Sequence, residues 1–362
     1  MQEKAFLHTS SEITIDKGSV TWESPSNIAL VKYWGKKEHQ IPANPSISFT
    51  LSNCKTKTTL SYSKRDIGID KYQFEVFLEG VQQDDFKPKI ATFFKRIEQY
   101  VPFIKEYKYT IETSNTFPHS SGIASSASGM SALALCIMSI EKELNPNISD
   151  ADFTKKASFL ARLGSGSACR SLEGDLVCWG THEEIEGTSD LFGVTYPHKV
   201  HDNFKNYQDT ILLVDKGEKQ VSSTVGHNLM HNHPYAENRF QQAHDNLSKL
   251  IEVFKTGDLS GFIEIVESEA LTLHAMMMTS LPYFILMKPN TLEIINKIWE
   301  FRKASGLHLC FTLDAGANVH LLYPASEKEE VLDFINTQLV GYCQNGHYIC
   351  DSTGLGANLL VD

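Results

Sequence analysis

The sequence predicts an α+β protein of two domains, and three observations support this prediction. With 362 residues, the chain is longer than a single simple hydrophobic core usually organises. Its first half is rich in strand patterns, whereas its second half combines long helical patterns with a hairpin. Glycine, proline, serine and aspartate cluster between residues 185 and 207. We therefore place the boundary in this region and predict domains at residues 1–195 and 196–362.

Strands in the first domain are predicted by alternation of apolar and polar residues. Lys57–Ser63 and Tyr107–Thr113 alternate with a period of two, and Gln73–Leu78 follows the same pattern more loosely. Ile28–Val31 is a short apolar run, which indicates a buried strand. The first domain is therefore expected to be rich in strands.

Two helices are predicted in the same domain. Ser126–Ile140 is apolar nearly all round, which is typical of a helix buried in a core. A second helix is predicted over Asp150–Leu163, with Ser149 or Asp150 as its N-cap and Gly164 as its stop.

The sequence patterns of the second domain predict helices around a small number of strands. Thr210–Asp215 indicates a buried strand, and Leu307–Leu313 and Asn318–Tyr323 indicate a hairpin that turns through Ala-Gly-Ala. Helical spacing of apolar residues predicts four helices, over Tyr235–Phe254, Leu259–His274, Thr291–Lys303 and Glu327–Leu339.

Composition excludes several classes of function. Hydrophobic residues make up 41% of the chain and charged residues 21%, as in ordinary soluble proteins. No run reaches the roughly 18 apolar residues that a membrane span needs, and the N-terminus lacks the pattern of a signal peptide. The seven cysteines include no C-x-x-C pair, and the net charge of −11 argues against a nucleic-acid binder. We therefore expect a cytoplasmic protein with no membrane or nucleic-acid partner.

A loop of small residues precedes the first long helix, between Pro118 and Met130. Small side chains let a phosphate approach the backbone, and the amide groups at a helix start favour an anion. The loop also offers hydroxyl groups to phosphate or magnesium, from Ser120, Ser121, Ser125 and Ser126. It lacks the order of the common P-loop. The alternative interpretation is a tight turn before a closely packed helix.

The segment Ser26–Lys36 ends its strand in cationic and aromatic residues. Lys32 and Lys36 can meet anions, and Tyr33 can hydrogen-bond through its hydroxyl group. The alternative is a strand end with solvated lysines.

The segment Ala161–Ser171 concentrates groups that bind oxyanions. Its glycines free the backbone, Ser165 and Ser167 offer hydroxyl groups, and Arg170 presents a planar fork suited to carboxylate or phosphate. The alternative is a capped helix start with a surface arginine.

Two further segments carry chemistry that the pattern alone leaves open. Asp314 lies at the end of a predicted strand, where an isolated aspartate usually caps a turn through its own side chain. His227, His231 and His233 raise the alternative of a metal site, although Pro234 follows at once and no acidic or cysteine ligand lies close in sequence. Solvated or helix-capping histidines are the competing interpretation.

Several of these segments resemble a known family. The loop with Pro118, Gly122, Ile123, Ser125, Ser126 and Ala127 resembles the nucleotide-phosphate loop of the galactokinase, homoserine kinase, mevalonate kinase and phosphomevalonate kinase (GHMP) superfamily. The run Asn-Ile-Ala-Leu-Val-Lys-Tyr-Trp-Gly-Lys, which ends at Lys36, is similar to the signature of diphosphomevalonate decarboxylases. Ala161–Ser171, the Asp-Ala-Gly-Ala-Asn run from Asp314, and the Ser222–Ser223 pair resemble further motifs of that family. The matches extend from about Ser26 to Asn318.

The resemblance implies a fold and a reaction. It implies a GHMP-kinase-like fold, with a strand-rich α/β N-terminal domain and a ferredoxin-like α+β C-terminal domain. It also implies a homodimer that uses ATP and magnesium to phosphorylate the 3-hydroxyl group of mevalonate 5-diphosphate. Loss of phosphate and carbon dioxide then gives isopentenyl diphosphate.

The resemblance also implies roles for individual residues. Asp314 would orient or deprotonate the tertiary hydroxyl group, Lys36 would keep that carboxylate ionised, and Arg170 would grip the substrate carboxylate. The residues implied in substrate binding are Tyr33, Lys36, Ser165, Ser167, Arg170, Ser222 and Ser223. Those implied in nucleotide binding are Ser120, Ser121, Gly122, Ala124, Ser125 and Ser126, with Ser125 also a magnesium contact.

Departures from the family pattern keep related activities open. Ala317 replaces the usual proline of the Asp314 turn, and His233-Pro-Tyr and Thr279 stand where relatives show other residues. A phosphomevalonate decarboxylase, a mevalonate 3-kinase on the same scaffold and a non-catalytic nucleotide-binding homologue are therefore alternatives. The intact set of Asp314, Lys36 and Arg170 favours decarboxylation.

Overall fold

The computed structural model describes residues 2–8, 13–65, 71–118, 123–216 and 223–361, and its mixture of helices and sheets confirms the α+β class. The strands, in chain order, are β1 Lys17–Val31, β2 Ser46–Lys64, β3 Gln73–Leu78, β4 Val81–Gln82, β5 Tyr107–Asn115, β6 Leu176–Trp179, β7 Val194–Thr195, β8 Gln208–Leu212, β9 Cys310–Thr312, β10 Val319–Tyr323, β11 Tyr348–Ser352 and β12 Asn358–Leu360. The α-helices are α1 Lys87–Ile97, α2 Ser125–Leu144, α3 Asp150–Gly164, α4 Ser223–Asn228, α5 Ala236–Thr256, α6 Leu259–Met278, α7 Pro289–Ser305 and α8 Lys328–Phe334.

The first sheet follows the order β12-β1-β2-β5-β3-β4, with β6 attached to β2 and β7 to β6. The long strands β1 and β2 run antiparallel, whereas β3 and β5 are parallel. A hydrophobic core joins the sheet to α1, α2 and α3, and α2 is buried on nearly all sides, as its sequence predicts. The last residues of β1 are the first part of the Ser26–Lys36 segment, which continues beyond the end of the strand.

The second sheet follows the order β11-β8-β10-β9 and is antiparallel throughout. Its core includes Ile294 and Ile298 from α7 and Phe334 from α8. The turn between β9 and β10 carries Asp314.

The two sheets are joined through buried contacts and through the end of the chain. Asp351 of β11 is 3% exposed, and its carboxylate accepts the backbone N–H groups of Ser52 and Asn53 in β2, at 2.9 and 2.8 Å. The chain leaves the second sheet after β11, and strand β12 pairs antiparallel with β1, where Leu360 lies opposite Thr21. The chain therefore crosses between the two sheets more than once.

Local signals predicted both ends of α3, whereas the end of α5 was not predicted from Gly257. Ser149 caps α3 by accepting the backbone N–H of Asp152 at 3.1 Å, and the helix ends at Gly164. Gly257 adopts a φ of 79° immediately after α5, a conformation that favours glycine.

Other elements differ from the sequence prediction. The predicted strand Ile28–Val31 is only the last part of β1, and the predicted helix Glu327–Leu339 begins as α8 and ends in a π-helical turn. Helix α1 and strands β11 and β12 were not predicted. The boundary at residues 195 and 196 stays a prediction. Within the ranges described above, no helix combines the length and apolar character that a membrane span requires.

Candidate active site

Residues from four of the predicted segments meet at one cavity of about 240 Å³. It lies where the end of β1, the start of α2, the Ala161–Ser171 segment and the β9–β10 turn come together. The predicted site residues that line it are Tyr33, Lys36, Ala124, Ser126, Ser165, Ser167, Arg170 and Asp314. A larger cavity of about 690 Å³ beside β1, α2 and α3 contains none of these residues, so chemistry and not size selects the site.

Asp314 presents its carboxylate to the cavity next to a buried lysine. The Asp314 side chain is 28% exposed, and its Oδ1 lies 3.2 Å from Nζ of Lys32, whose side chain is 2% exposed. Burial lowers the pKa of Lys32, and the negative charge of Asp314 opposes that shift. Sequence reasoning assigned the supporting cation to Lys36. The structure places Lys32 in contact with Asp314 and Lys36 in the wall of the same cavity.

A second ion pair holds the backbone of Lys32. The Lys32 N–H donates to Oε2 of Glu269 at 2.8 Å, and Arg239 donates through Nη2 to the Lys32 carbonyl at 3.3 Å. Arg239 and Glu269 are themselves paired by two hydrogen bonds of 3.0 and 2.5 Å, with both side chains at most 1% exposed. The backbone of Lys32 is therefore held through both its N–H group and its carbonyl group.

The turn that carries Asp314 is held by a histidine. His274 of α6 donates from Nε2 to the Asp314 carbonyl at 3.1 Å, and Gly316 donates its N–H to the same carbonyl at 2.7 Å. Burial lowers the pKa of His274 to about 4, so the ring is neutral near pH 7. Sequence reasoning gave His274 no role.

Arg170 is a buried cation in the wall of the cavity. It ends the short helix Gly166–Arg170, is 3% exposed, lies over the Trp179 ring at 5.9 Å and donates to the Ser46 hydroxyl group. Its Nε is buried and has no hydrogen-bond partner in the described ranges. A guanidinium group with an unused donor fits a carboxylate.

Tyr33 reaches the site because a glycine lies opposite it. A Cβ at Gly166 would stand 2.8 Å from the Tyr33 hydroxyl oxygen and 2.8 Å from the Trp179 ring, so a larger residue would displace one of them. Beside it, the hydroxyl oxygens of Ser165 and Ser126 lie 3.4 Å apart and connect two of the predicted segments.

The start of α2 has the form of an anion site. Ala124 adopts a φ of 44°, and among the described residues no side chain caps the helix, so that the N–H groups of Ser125 and Ser126 can meet a ligand. Ser125 is the first residue of the helix and is half-buried. These features fit a phosphate group, while Ser120, Ser121 and Gly122 lie outside the described residues.

The remaining predicted residues lie on or before α4. Ser222 lies outside the described residues, and Ser223 begins α4 with a side chain that is not described. His227 lines the cavity, His231 is exposed, and His233 donates to the Met276 carbonyl at 3.1 Å. Within the described part of the chain, no group of three or more His, Cys, Asp or Glu side chains could hold a metal ion.

Comparisons with known proteins agree across both domains. Residues 24–191 match the family model of the diphosphomevalonate decarboxylase-like N-terminal domain. Residues 210–354 match the mevalonate 5-diphosphate decarboxylase C-terminal domain. The diphosphomevalonate decarboxylase of Debaryomyces hansenii is 31% identical over 338 residues, which cover 89% of this chain and 83% of that protein.

Solved structures show the same similarity. The complex of MDDEF with MVAPP, AMPPCP and magnesium has a TM-score of 0.80 and 28% identity, and covers 95% of this chain and 99% of that one. The mevalonate diphosphate decarboxylase of Staphylococcus aureus has a TM-score of 0.80 and 27% identity, and covers 95% of this chain and 98% of that one.

Proposed function

The chain belongs to the diphosphomevalonate decarboxylase family, and on this premise we propose that it catalyses the ATP-dependent decarboxylation of mevalonate 5-diphosphate. The products are isopentenyl diphosphate, ADP, phosphate and carbon dioxide. The observation that carries the proposal is the Lys32–Asp314 pair, which opens on a cavity also lined by Arg170. The fold is the two-domain, GHMP-kinase-like α+β fold that the sequence predicts.

ATP and magnesium are the cofactors, as the ligands of a similar solved complex indicate. The uncapped start of α2 would hold ATP phosphate oxygens through its first backbone N–H groups, with Ser125 and Ser126 adding hydroxyl groups. Magnesium would balance the phosphate charge there, with Ser125 a contact. The roles of Ser120, Ser121 and Gly122 stay predictions.

Asp314 has the position for a general base. Its carboxylate is partly open to the cavity, and Lys32 at 3.2 Å favours the ionised form that can accept a proton from the 3-hydroxyl group. Lys32 can also stabilise negative charge as it moves between oxygens during phosphoryl transfer. We propose that Lys36 acts on the substrate from the wall of the same cavity, which Tyr33 also lines.

Arg170 would bind the carboxylate that is lost. Its buried Nε and planar fork fit a carboxylate, and its fixed position over Trp179 holds that group for departure. Ser165 and Ser167 would add hydrogen bonds to the substrate from the same segment, and Ser222 and Ser223 stay predicted contacts.

Location and assembly remain proposals. The sequence predicts a cytoplasmic protein, and the family resemblance predicts a homodimer. Size-exclusion chromatography with light scattering tests the dimer, because a mass equal to one chain at micromolar concentration would contradict it.

The reaction is tested by following three products in parallel. Purified protein with ATP and magnesium is given mevalonate 5-diphosphate or mevalonate 5-phosphate, and ADP, phosphate and carbon dioxide are measured. We expect equal amounts of the three from the diphosphate and a much lower kcat/KM for the monophosphate. ADP without carbon dioxide would contradict decarboxylation and indicate a 3-kinase instead.

A further inference from the structure

His227 lies in the wall of the active-site cavity, held between two aromatic rings. Its ring centroid is 4.2 Å from that of Tyr33 and 4.7 Å from that of Trp34, and the residue is 7% exposed. It belongs to the short helix α4, which begins at Ser223, one of the two predicted serine contacts. The two rings fix the plane of the imidazole.

A backbone contact fixes which ring nitrogen carries the proton. The Gly35 N–H donates to Nδ1 of His227 at 3.0 Å, so Nδ1 is the acceptor and the proton of the neutral ring lies on Nε2. Gly35 has a φ of 99°, and a Cβ there would stand 2.8 Å from the Phe240 ring, so the donor itself is held in place. Across the described ranges, Nε2 makes no hydrogen bond.

The charges around His227 favour the neutral ring. Burial, together with the positive charges of Lys36 and Arg170, lowers the pKa of His227 to about 3. Both of these cations line the cavity with His227. The wall therefore combines two cationic donors with one neutral N–H donor.

This combination of three donors is better suited to binding an anion than to binding a metal ion or to acting as a general base. The fixed N–H can donate but cannot accept, and the nearby cations repel a metal ion. His227 adds a third hydrogen-bond donor without a third positive charge, and this donor restricts the orientation of a bound oxyanion.

We propose that His227 is a substrate-binding residue whose Nε2–H donates a hydrogen bond to an anionic oxygen of the phosphorylated acid. This inference rests on the proposed function, because it takes the substrate of that reaction as its ligand. The oxygen belongs either to the carboxylate or to the phosphate end, and the two sources are separable by experiment.

The test uses three variants that divide the functions of the ring. His227→Asn keeps an acceptor in the place of Nδ1 and loses the Nε2–H donor, whereas His227→Gln places an amide N–H near the position of Nε2. His227→Phe keeps the aromatic ring between Tyr33 and Trp34 without either nitrogen. Thermal unfolding of each variant confirms that it is folded before binding is compared.

Substrate binding is the main measurement. We expect the Kd for mevalonate 5-diphosphate, measured by calorimetry, to rise on the order of 10- to 100-fold in His227→Asn and His227→Phe, since a hydrogen bond to a charged group is lost. His227→Gln should stay within several-fold of the wild type. The Kd for ATP should not change in any variant.

Isopentenyl diphosphate separates the two ends of the substrate, because it keeps the diphosphate and lacks the carboxylate. A parallel loss of affinity for this product in His227→Asn assigns the hydrogen bond to the diphosphate, and an unchanged affinity assigns it to the carboxylate.

Unchanged binding of both ligands by folded His227→Asn and His227→Phe would overturn the inference, as would a stoichiometric metal present in the wild type and lost in these variants. A wild-type protein that releases no carbon dioxide would instead overturn the proposed function, so the two failures are distinct.

Discussion

Two ion pairs meet at Lys32, and they differ in how far they are closed to solvent. The Arg239–Glu269 pair is sealed, with side chains 1% and 0% exposed, and it binds the backbone of Lys32 from both sides. The Lys32–Asp314 pair is sealed at the lysine and open at the aspartate, with side chains 2% and 28% exposed. A closed pair can only hold structure, whereas a half-open pair can also exchange a proton with a ligand. Changes in the open pair should therefore affect turnover, and changes in the closed pair should affect folding.

The largest effect is expected at Asp314, the partly exposed partner in the Lys32–Asp314 pair. Asp314→Asn should lower kcat by about 10²- to 10⁴-fold, because the amide cannot accept the hydroxyl proton. Steady-state kinetics measures this, and calorimetry should show ATP and substrate affinities within a few-fold of the wild type. Asp202→Asn, at an aspartate whose side chain is 82% exposed, is the matched control. A normal rate in Asp314→Asn would remove this residue from the mechanism.

The closed pair should respond in stability. Glu269→Gln leaves the buried Arg239 charge without its partner, so the free energy of unfolding should fall by about 3–5 kcal/mol. Urea denaturation measures it. Arg239→Met combined with Glu269→Leu should recover part of the loss, because the unpaired charge is then absent while the Lys32 N–H still lacks its acceptor. As a control, Glu252→Gln changes an exposed pair, for which about 0–1 kcal/mol is expected. Equal, small effects at both glutamates would contradict the structural role given to Glu269.

Removing the shared cation should affect rate more than folding. Lys32→Met fills a similar volume and leaves Asp314 in contact with solvent, so stability should change less than in Glu269→Gln. The kcat should fall by about 10²- to 10³-fold, because a charge that stabilises the transition state is lost. Lys37→Met, at an exposed lysine five residues along, is the control for kinetics and unfolding. A large loss of stability with normal turnover would reverse the assignment.

Lowering the pH should destabilise the folded protein through two buried histidines of the candidate site, His227 and His274. Burial lowers the pKa of His227 to about 3 and that of His274 to about 4, whereas both titrate near 6.5 in an unfolded chain. Between pH 6.5 and 4 the unfolded state binds more protons, so the free energy of unfolding should fall by up to ~1.4 kcal/mol per pH unit for each histidine. Denaturation at several pH values measures the slope.

His274→Gln should reduce that acid slope, because one of the two titrating rings is gone. The same change at the exposed His231 should leave the slope as it is. If His274→Gln and the wild type lose stability in parallel, the acid response originates elsewhere.

The sequence predicted which segments meet at the cavity better than it predicted the contacts between them. Tyr33, Arg170 and Asp314 line one cavity, and each could be singled out from the sequence because its motif is contiguous and strongly patterned. Lys32 and Lys36 lie four residues apart in the same motif, and which of them contacts Asp314 depends on where β1 ends relative to the second sheet. The sequence of the motif alone does not determine where β1 ends relative to the second sheet.

Elements that depend on distant partners were the hardest to predict. Arg239 and Glu269 lie on separate helices, and each reads by itself as an ordinary charged helix residue. Strand β12 has three residues and becomes a strand only because β1 offers an edge to it. Helix α1, in contrast, carries apolar residues at helical spacing, with Ile90, Phe93, Phe94 and Ile97 buried. This helix was within reach of the sequence pattern.

The return of β12 to β1 also bears on the order in which the protein is completed on the ribosome. The edge of β1 is complete at Val31, but the strand that covers it begins only at Asn358 and is synthesised much later. At ~5–20 residues per second, the edge waits on the order of tens of seconds for its partner. An open edge strand is a template for pairing with other chains. The nascent protein therefore passes through a period in which its first sheet is exposed to misassembly, and this period ends when β12 pairs with β1.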